Sequence, residues 1–238
     1  MQNNTIRILS TRPLDETLLQ EAVANGVCVD VISFIETVAI ENDNTREAIE
    51  RLSSEVYITI FTSMNAVDAV ISQLQKKIPA WKIFCMGNTT RQLVEDYFGT
   101  STVMASASNA SELANSIIDW TKTHELNKPI VFFCGDQRRN ELPGKLYQYG
   151  IELQEIIIYH TIETTHKVAD AYDGILFFSP SAVHSFFKIN TVSNKTLFFA
   201  IGETTASTIK EYTNNKIVIG DTPSKDDLLK KAVSWLSN

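Results

Sequence analysis

The 238-residue sequence contains no Gly-x-Gly-x-x-Gly and no Gly-x-x-x-x-Gly-Lys-Ser/Thr, so neither the dinucleotide fingerprint nor the P-loop is encoded. A Gly-x-Ser-x-Gly elbow is also missing, which removes the exposed serine nucleophile that such a turn carries. The four histidines (His124, His160, His166 and His184) stand at no ligand spacing with cysteine or carboxylate, and no metal site is expected. Cysteine is scarce. Cys28, Cys85 and Cys134 are an odd, scattered set flanked by apolar residues, and they read as reduced, buried thiols of a cytoplasmic protein. No apolar run approaches the roughly 20 residues that span a bilayer. The N-terminus Met1-Gln-Asn-Asn-Thr5 has neither the basic region nor the apolar core of a secretory signal. A formal net charge of -7 leaves no basic surplus for nucleic acid. It does not exclude small anionic ligands, which local main-chain N–H groups can hold whatever the net charge.

What is present is an alternation of apolar runs with segments of helical period. Ile6–Ser10, Val27–Ile35, Val56–Phe61, Ile130–Phe133, Ile151–Thr161, Asp173–Phe178 and Ile217–Ile219 read as strands. Between them Leu14, Leu18 and Ala22, or Val67, Val70, Ile71 and Leu74, fall on one helical face. Pro13 suits a first helical turn, and Gly26 a left-handed helix end. Asn109-x-x-Glu112 and Ser224-x-x-Asp227 have the form of capping boxes.

The pattern occurs twice. Leu197-Phe-Phe-Ala-Ile-Gly202-Glu-Thr-Thr205 repeats the shape of Trp81-Lys-Ile-Phe-Cys-Met-Gly87-Asn-Thr-Thr90. The same offset separates Gly87 from Gly202, Thr90 from Thr205 and Trp120 from Trp235. Strands alternating with helices of 10–15 residues imply parallel sheets covered on both faces, here in two α/β units.

In such sheets ligands bind beyond the carboxyl ends of the strands. Ser10-Thr11, Thr62-Ser63, Asn88-Thr90, Ser179-Ser181 and Thr204-Thr205 all fall there. Ser and Thr are ordinary helix caps. Hydroxyls at every such turn of both units favour a shared anionic ligand held at helix N-termini. Residue chemistry by itself therefore gives a bilobed α/β protein with a cleft suited to anions.

The order Phe61-Thr-Ser63…Ala66-Val67, Gly87-Asn-Thr-Thr90, Phe133-Cys-Gly135…Arg139-x-Glu-Leu142…Gly150…Tyr159-x-Thr161, Phe178-Ser-Pro-Ser181 and Ile201-Gly-Glu-Thr-Thr205 resembles the uroporphyrinogen-III synthase family over nearly the whole chain. Met64-Asn65 departs from it, since the family often has Pro-Arg there. The resemblance implies two flavodoxin-like α/β lobes with parallel sheets, joined by a two-stranded β connector. Residues 1–33 plus 167–238 would form one lobe and 40–154 the other, with 34–39 and 155–166 as connectors. It implies an enzyme without cofactor or metal that cyclises hydroxymethylbilane, a linear polycarboxylate, with loss of water and inversion of ring D. The rival reading is a non-catalytic two-lobed binding protein for a small polyanion. Carried over by resemblance, Tyr159 assists departure of hydroxide and Thr205 is its catalytic companion. Ser63, Thr90, Ser179, Ser181 and Thr204 become binding candidates on the same footing. Lys195 matches a family lysine, and Arg12, Arg138 and Arg139 are candidates to pair with propionates. The expected partner is the small-molecule substrate alone: no nucleic acid, no membrane, and a cytoplasmic monomer.

Overall fold

Each buried apolar run forms a strand, and each run of helical period packs its apolar face on a sheet. The computed structural model describes residues 5–168 and 171–237. The chain opens with β1 (Ile6–Ser10), α1 (Glu16–Ala24) and β2 (Val27–Val31). It continues through β3 (Ile35–Ala39), α2 (Asp43–Ser53), β4 (Ile58–Phe61), α3 (Met64–Ile71), β5 (Lys82–Met86) and α4 (Asn88–Phe98). Then come β6 (Val103–Ala107), α5 (Ala110–Thr121), β7 (Ile130–Gly135), α6 (Glu141–Gln148) and β8 (Leu153–Glu163). The chain ends with β9 (Gly174–Phe177), α7 (Pro180–Phe187), β10 (Leu197–Ala200), α8 (Glu203–Lys210), β11 (Ile217–Ile219) and α9 (Lys225–Ser237).

Two units result, Met1–Glu36 with Ile162–Asn238, and Thr37–Thr161. The first holds a five-stranded parallel sheet of order β11-β10-β9-β1-β2. In the second, β3 flanks β8 and the order is β3-β8-β7-β4-β5-β6, with β8 through β6 parallel. With β1 and β7 as matching strands, both sheets have the spatial order 2-1-3-4-5 of a flavodoxin-like fold. The chain enters the second sheet at a different strand, so its connectivity is permuted. The sequence echo between Gly87 and Gly202 is the echo of β5 and β10, which occupy the same place in their sheets.

Aromatic residues fill one face of each sheet. In the second unit Phe61, Trp81, Phe98 and Phe133 are buried, with Phe61 and Phe133 stacked at a centroid separation of 5.3 Å. The Trp81 indole N–H donates to the Leu52 carbonyl at 2.9 Å, so its burial leaves no unmet donor. Phe34, Phe177, Phe186 and Phe198 fill the first unit in the same way. Two buried side-chain atoms break the rule among the described residues, the Thr59 hydroxyl and the Gln73 Oε1. Thr59 is fully buried in β4 and its hydroxyl has no hydrogen-bond partner among the described residues. An unpartnered buried hydroxyl costs about 1–3 kcal/mol. Thr59→Val keeps the shape and removes the hydroxyl, so thermal unfolding should rise by roughly 2–4 °C. An unchanged or lower midpoint would show that the hydroxyl is satisfied.

Several expectations need correction. Pro13 lies before the first helix, which begins at Glu16 behind Asp15. The run from Val27 to Ile35 is broken after Val31, and Ile35 begins β3. β6 was not expected; every residue of Val-Met-Ala-Ser-Ala is only partly buried, so no alternation marks it. Asn109 caps α5, but Glu112 reaches back to the N–H and hydroxyl of Ser108, one residue earlier than a capping box requires. Cys28 is exposed, whereas Cys85 and Cys134 are buried, and burial pushes both of those thiols up to about 11.

Candidate active site

In a doubly wound sheet the crevice opens where connections leave in opposite directions from neighbouring strands. In the second unit that point lies between β7 and β4. Phe61 ends β4, and Ser63 caps α3 by accepting the Ala66 N–H at 3.2 Å. Gly135 ends β7 on the neighbouring strand. The next strand out, β8, brings Tyr159 to the same edge. Its hydroxyl lies 3.1 Å from the Ser63 Oγ, and the two share a hydrogen bond.

A β-bulge aims the tyrosine. Cys134 stands opposite Ile157 but Gly135 opposite Tyr159, so Ile158 is one residue extra. Successive strand residues normally face opposite ways. Here the extra residue resets the phase. Ile158 is fully buried in the core with Phe61 and Phe133, and Tyr159 packs against the same cluster. The ring lies over Gly135, whose missing Cβ leaves the space. A Cβ built there would come within 2.4–2.7 Å of the ring carbons Cζ and Cε2 and the hydroxyl of Tyr159.

Burial raises the Tyr159 phenol above its ordinary value, against the Ser63 hydrogen bond, which lowers it. The group therefore stays protonated through neutral pH and can donate. Beside it, Asp136 accepts the Thr161 N–H at 2.9 Å and meets the His160 Nδ1 at 3.1 Å. Partial burial alone would raise this carboxyl, but those hydrogen bonds and the His160 charge hold it below its usual value. Tyr159 also lines a cavity of about 330 Å³ with Thr37, Glu41, Asn65, Asp68 and Ser72. Its polar wall is hydroxyl, amide and carboxylate; among the described residues it has no Lys, Arg or His. Such a wall disfavours a substrate carboxylate and suits a ring N–H or a developing cation.

The other second-unit candidates are spread along this edge. Thr90 is buried in the first turn of α4. That helix starts at Gly87, whose φ of 83° is in the region glycine adopts readily. The matching Gly202 is extended at φ -175°, so the two turns differ in what they require. Arg138 is held by Glu155 at 2.8 Å and is not available as a loose cation. Arg139, next to it on the β7–α6 loop, is exposed and forms no ion pair among the described residues.

In the first unit the switch point lies between β1 and β9. Ser10 and Thr11 are buried there and spend their hydroxyls on the Arg12 and Leu176 carbonyls at 2.6 and 2.7 Å. They hold the turn. Arg12 itself is exposed. Ser179 caps α7 through the Ala182 N–H at 3.3 Å, and Ser181 lies in that helix's first turn. Thr204 is exposed and Thr205 buried at the start of α8. Among the described residues the N–H groups of Glu203, Thr204 and Thr205 have no main-chain partner, as helix starts leave them. Lys195 lies apart from these residues. It precedes β10 and so lies at the amino edge of the sheet, opposite the edge that carries Ser179 and Thr205.

Asp136, the Asp136–His160 contact and the acids Glu41 and Asp68 were not found from sequence. Only the block Phe133-Cys-Gly135 pointed near them. Among the described residues no group of three or more His, Cys, Asp or Glu could hold a metal, and no helix is long and apolar enough to cross a membrane.

Two mainly parallel sheets that share a spatial order, each with a serine-capped helix (α3 or α7) at its carboxyl edge, define a duplicated doubly wound α/β protein. The family model described as uroporphyrinogen-III synthase HemD matches residues 16–230. The chain belongs to the uroporphyrinogen-III synthase family. It is 24% identical over 173 residues to the uroporphyrinogen-III synthase of Schizosaccharomyces pombe, a match that covers 69% of this chain and 66% of that protein. That is just under two thirds of the yeast protein's length. In fold it is similar to uroporphyrinogen-III synthetase from Helicobacter pylori, with a TM-score of 0.67 at 16% identity over 97% of this chain and 99% of that one. It is also similar to a mutant uroporphyrinogen III synthase from Thermus thermophilus, with a TM-score of 0.57 at 11% identity over 97% and 98% of the two chains.

Proposed function

We propose that this chain closes hydroxymethylbilane to uroporphyrinogen III. The observation that carries the reading is the Tyr159 phenol, kept protonated at the second unit's switch point and set against Ser63 beside a cavity. In this reading Tyr159 gives its proton to the departing hydroxyl of the hydroxymethyl group, which leaves as water. The carbon left behind is part of an azafulvene cation, and Glu41 and Asp68 on the cavity wall oppose its charge. The substituted carbon of ring D attacks it and gives a spiro intermediate. Fragmentation and reclosure leave ring D inverted, and loss of a proton restores the aromatic ring and the phenol. Holding the flexible chain in one reactive geometry can supply several kcal/mol, up to about 7–11 in the best model systems.

The substrate's carboxylates need separate holders. Each unit by itself offers candidates: Thr90 and Arg139 on the edge of the second, and Ser179, Ser181, Arg12 and the Thr204–Thr205 turn on the edge of the first. Helix starts favour anions at each. The enzyme works in this reading as a cytoplasmic monomer on a small molecule and draws on no cofactor.

Chromatography of the isomers made from hydroxymethylbilane tests the proposal. The type III isomer should dominate with the protein and the type I isomer without it. Tight binding of the tetrapyrrole with an unchanged type I product would make the chain a binding protein instead.

A further inference from the structure

Tyr159 stands where β8 loses its partner on the β7 side, while β3 flanks β8 on the other. β7 ends at Gly135, opposite Tyr159, while β8 runs on to Glu163. The bulge at Ile158 also interrupts the ladder immediately before the tyrosine. Residues from His160 onward therefore have no β7 residue beside them. Asp136, the first residue past β7, fills that place. Its N–H donates to the Tyr159 carbonyl at 3.2 Å. Its Oδ1 accepts the Thr161 N–H at 2.9 Å, and its Oδ2 meets the His160 ring at 3.1 Å. One residue thus supplies a donor and an acceptor to the neighbouring strand, as one residue of a parallel ladder would, with the carboxylate standing in for the main-chain carbonyl.

We propose that Asp136 is a positioning residue for the reaction, clamping Tyr159–Thr161 so that the Tyr159 hydroxyl stays at Ser63 and over Gly135. The inference rests on the proton-donor reading of Tyr159 given above. The Asp136 side chain is 29% exposed, so the clamp lies at the surface of the edge and not in the core. Its loss should be felt in geometry more than in stability. A displacement of about 1 Å at a reacting group can cost as much as 10²-fold in rate, and a clamp with three attachment points should account for part of that.

The test is a double-mutant cycle between Asp136→Ala and Tyr159→Phe, read as kcat and KM for hydroxymethylbilane. Asp136→Ala should lower kcat about 10-fold with KM changed less than about twofold, because it misplaces the donor and not the carboxylate holders. In the Tyr159→Phe background the same substitution should cost less than about twofold, since no donor remains to misplace. Asp136→Asn keeps an acceptor for the Thr161 N–H and should recover most of the rate. Equal factors in both backgrounds, or no loss in Asp136→Ala, would overturn the clamp. A wild-type rate in Tyr159→Phe alone would instead overturn the donor reading, and the clamp with it.

Discussion

Tyr159→Phe is expected to lower kcat by about 10²–10³-fold, within the usual range for a lost general acid, while KM and folding change little. The ring fills its place over Gly135 with or without the hydroxyl. Ser63 keeps its cap on the Ala66 N–H, so the only stability term is one hydroxyl–hydroxyl hydrogen bond, about 1 kcal/mol. Proton donation, in contrast, is lost outright. The residual rate should come from positioning alone, and its product should still be enriched in the type III isomer. The pH dependence gives a second check. Burial raises the phenol above its ordinary value, so the wild-type rate should not fall on account of this group until the pH exceeds the usual phenol range near 10. Single-turnover rates of both proteins from acid to alkaline pH would measure this. If Tyr159→Phe turns over at the wild-type rate, the acid is elsewhere.

The parts of this edge that were legible in the sequence are those set by local chemistry. Ser63 and Ser179 announce themselves because a hydroxyl before an i, i+3, i+4 apolar pattern is a cap, and both are caps. The correspondence of β5 in its sheet to β10 in the other was legible because each turn ends an apolar run at a glycine. The aim of Tyr159 was not. Ile156, Ile157 and Ile158 are all apolar, so no alternation reveals that Ile158 is the extra residue and that Tyr159 shares its face. Asp136 meets His160 across 24 positions of chain, and only the parallel pairing of β7 with β8 brings them together. Lys195 shows the converse limit. Its place just before an apolar strand is plain in the sequence, but only the direction of the sheet shows that it lies at the amino edge.

Gly135→Ala should separate the position of the tyrosine from its presence. The added Cβ would lie 2.4–2.7 Å from the Tyr159 ring end and hydroxyl, closer than atoms can stand. Overpacking of this kind usually costs about 1–3 kcal/mol. Here the atoms it meets are the far end of a side chain at a partly open edge, and the ring can yield by rotating away. The fold should therefore survive near the low end of that range, whereas the hydroxyl leaves Ser63. Turnover should fall by about 10²-fold, as for a donor moved by about an ångström. The combination Gly135→Ala with Tyr159→Ala removes the ring that the methyl strikes but also the ring's packing against the core, a larger loss than the strain relieved, so it should regain neither stability nor activity. Gly135→Ala with Tyr159→Phe should be no slower than Tyr159→Phe by more than a few-fold, because both substitutions remove the same donor. Melting curves and kcat for these four proteins suffice. If Gly135→Ala is fully active, the ring does not depend on the space that glycine leaves, and the hydrogen bond to Ser63 is not what places the acid. If it fails to fold while the combination with Tyr159→Ala folds, the ring is held more rigidly than its exposure implies, and the clamp from Asp136 is the part of the edge that holds it.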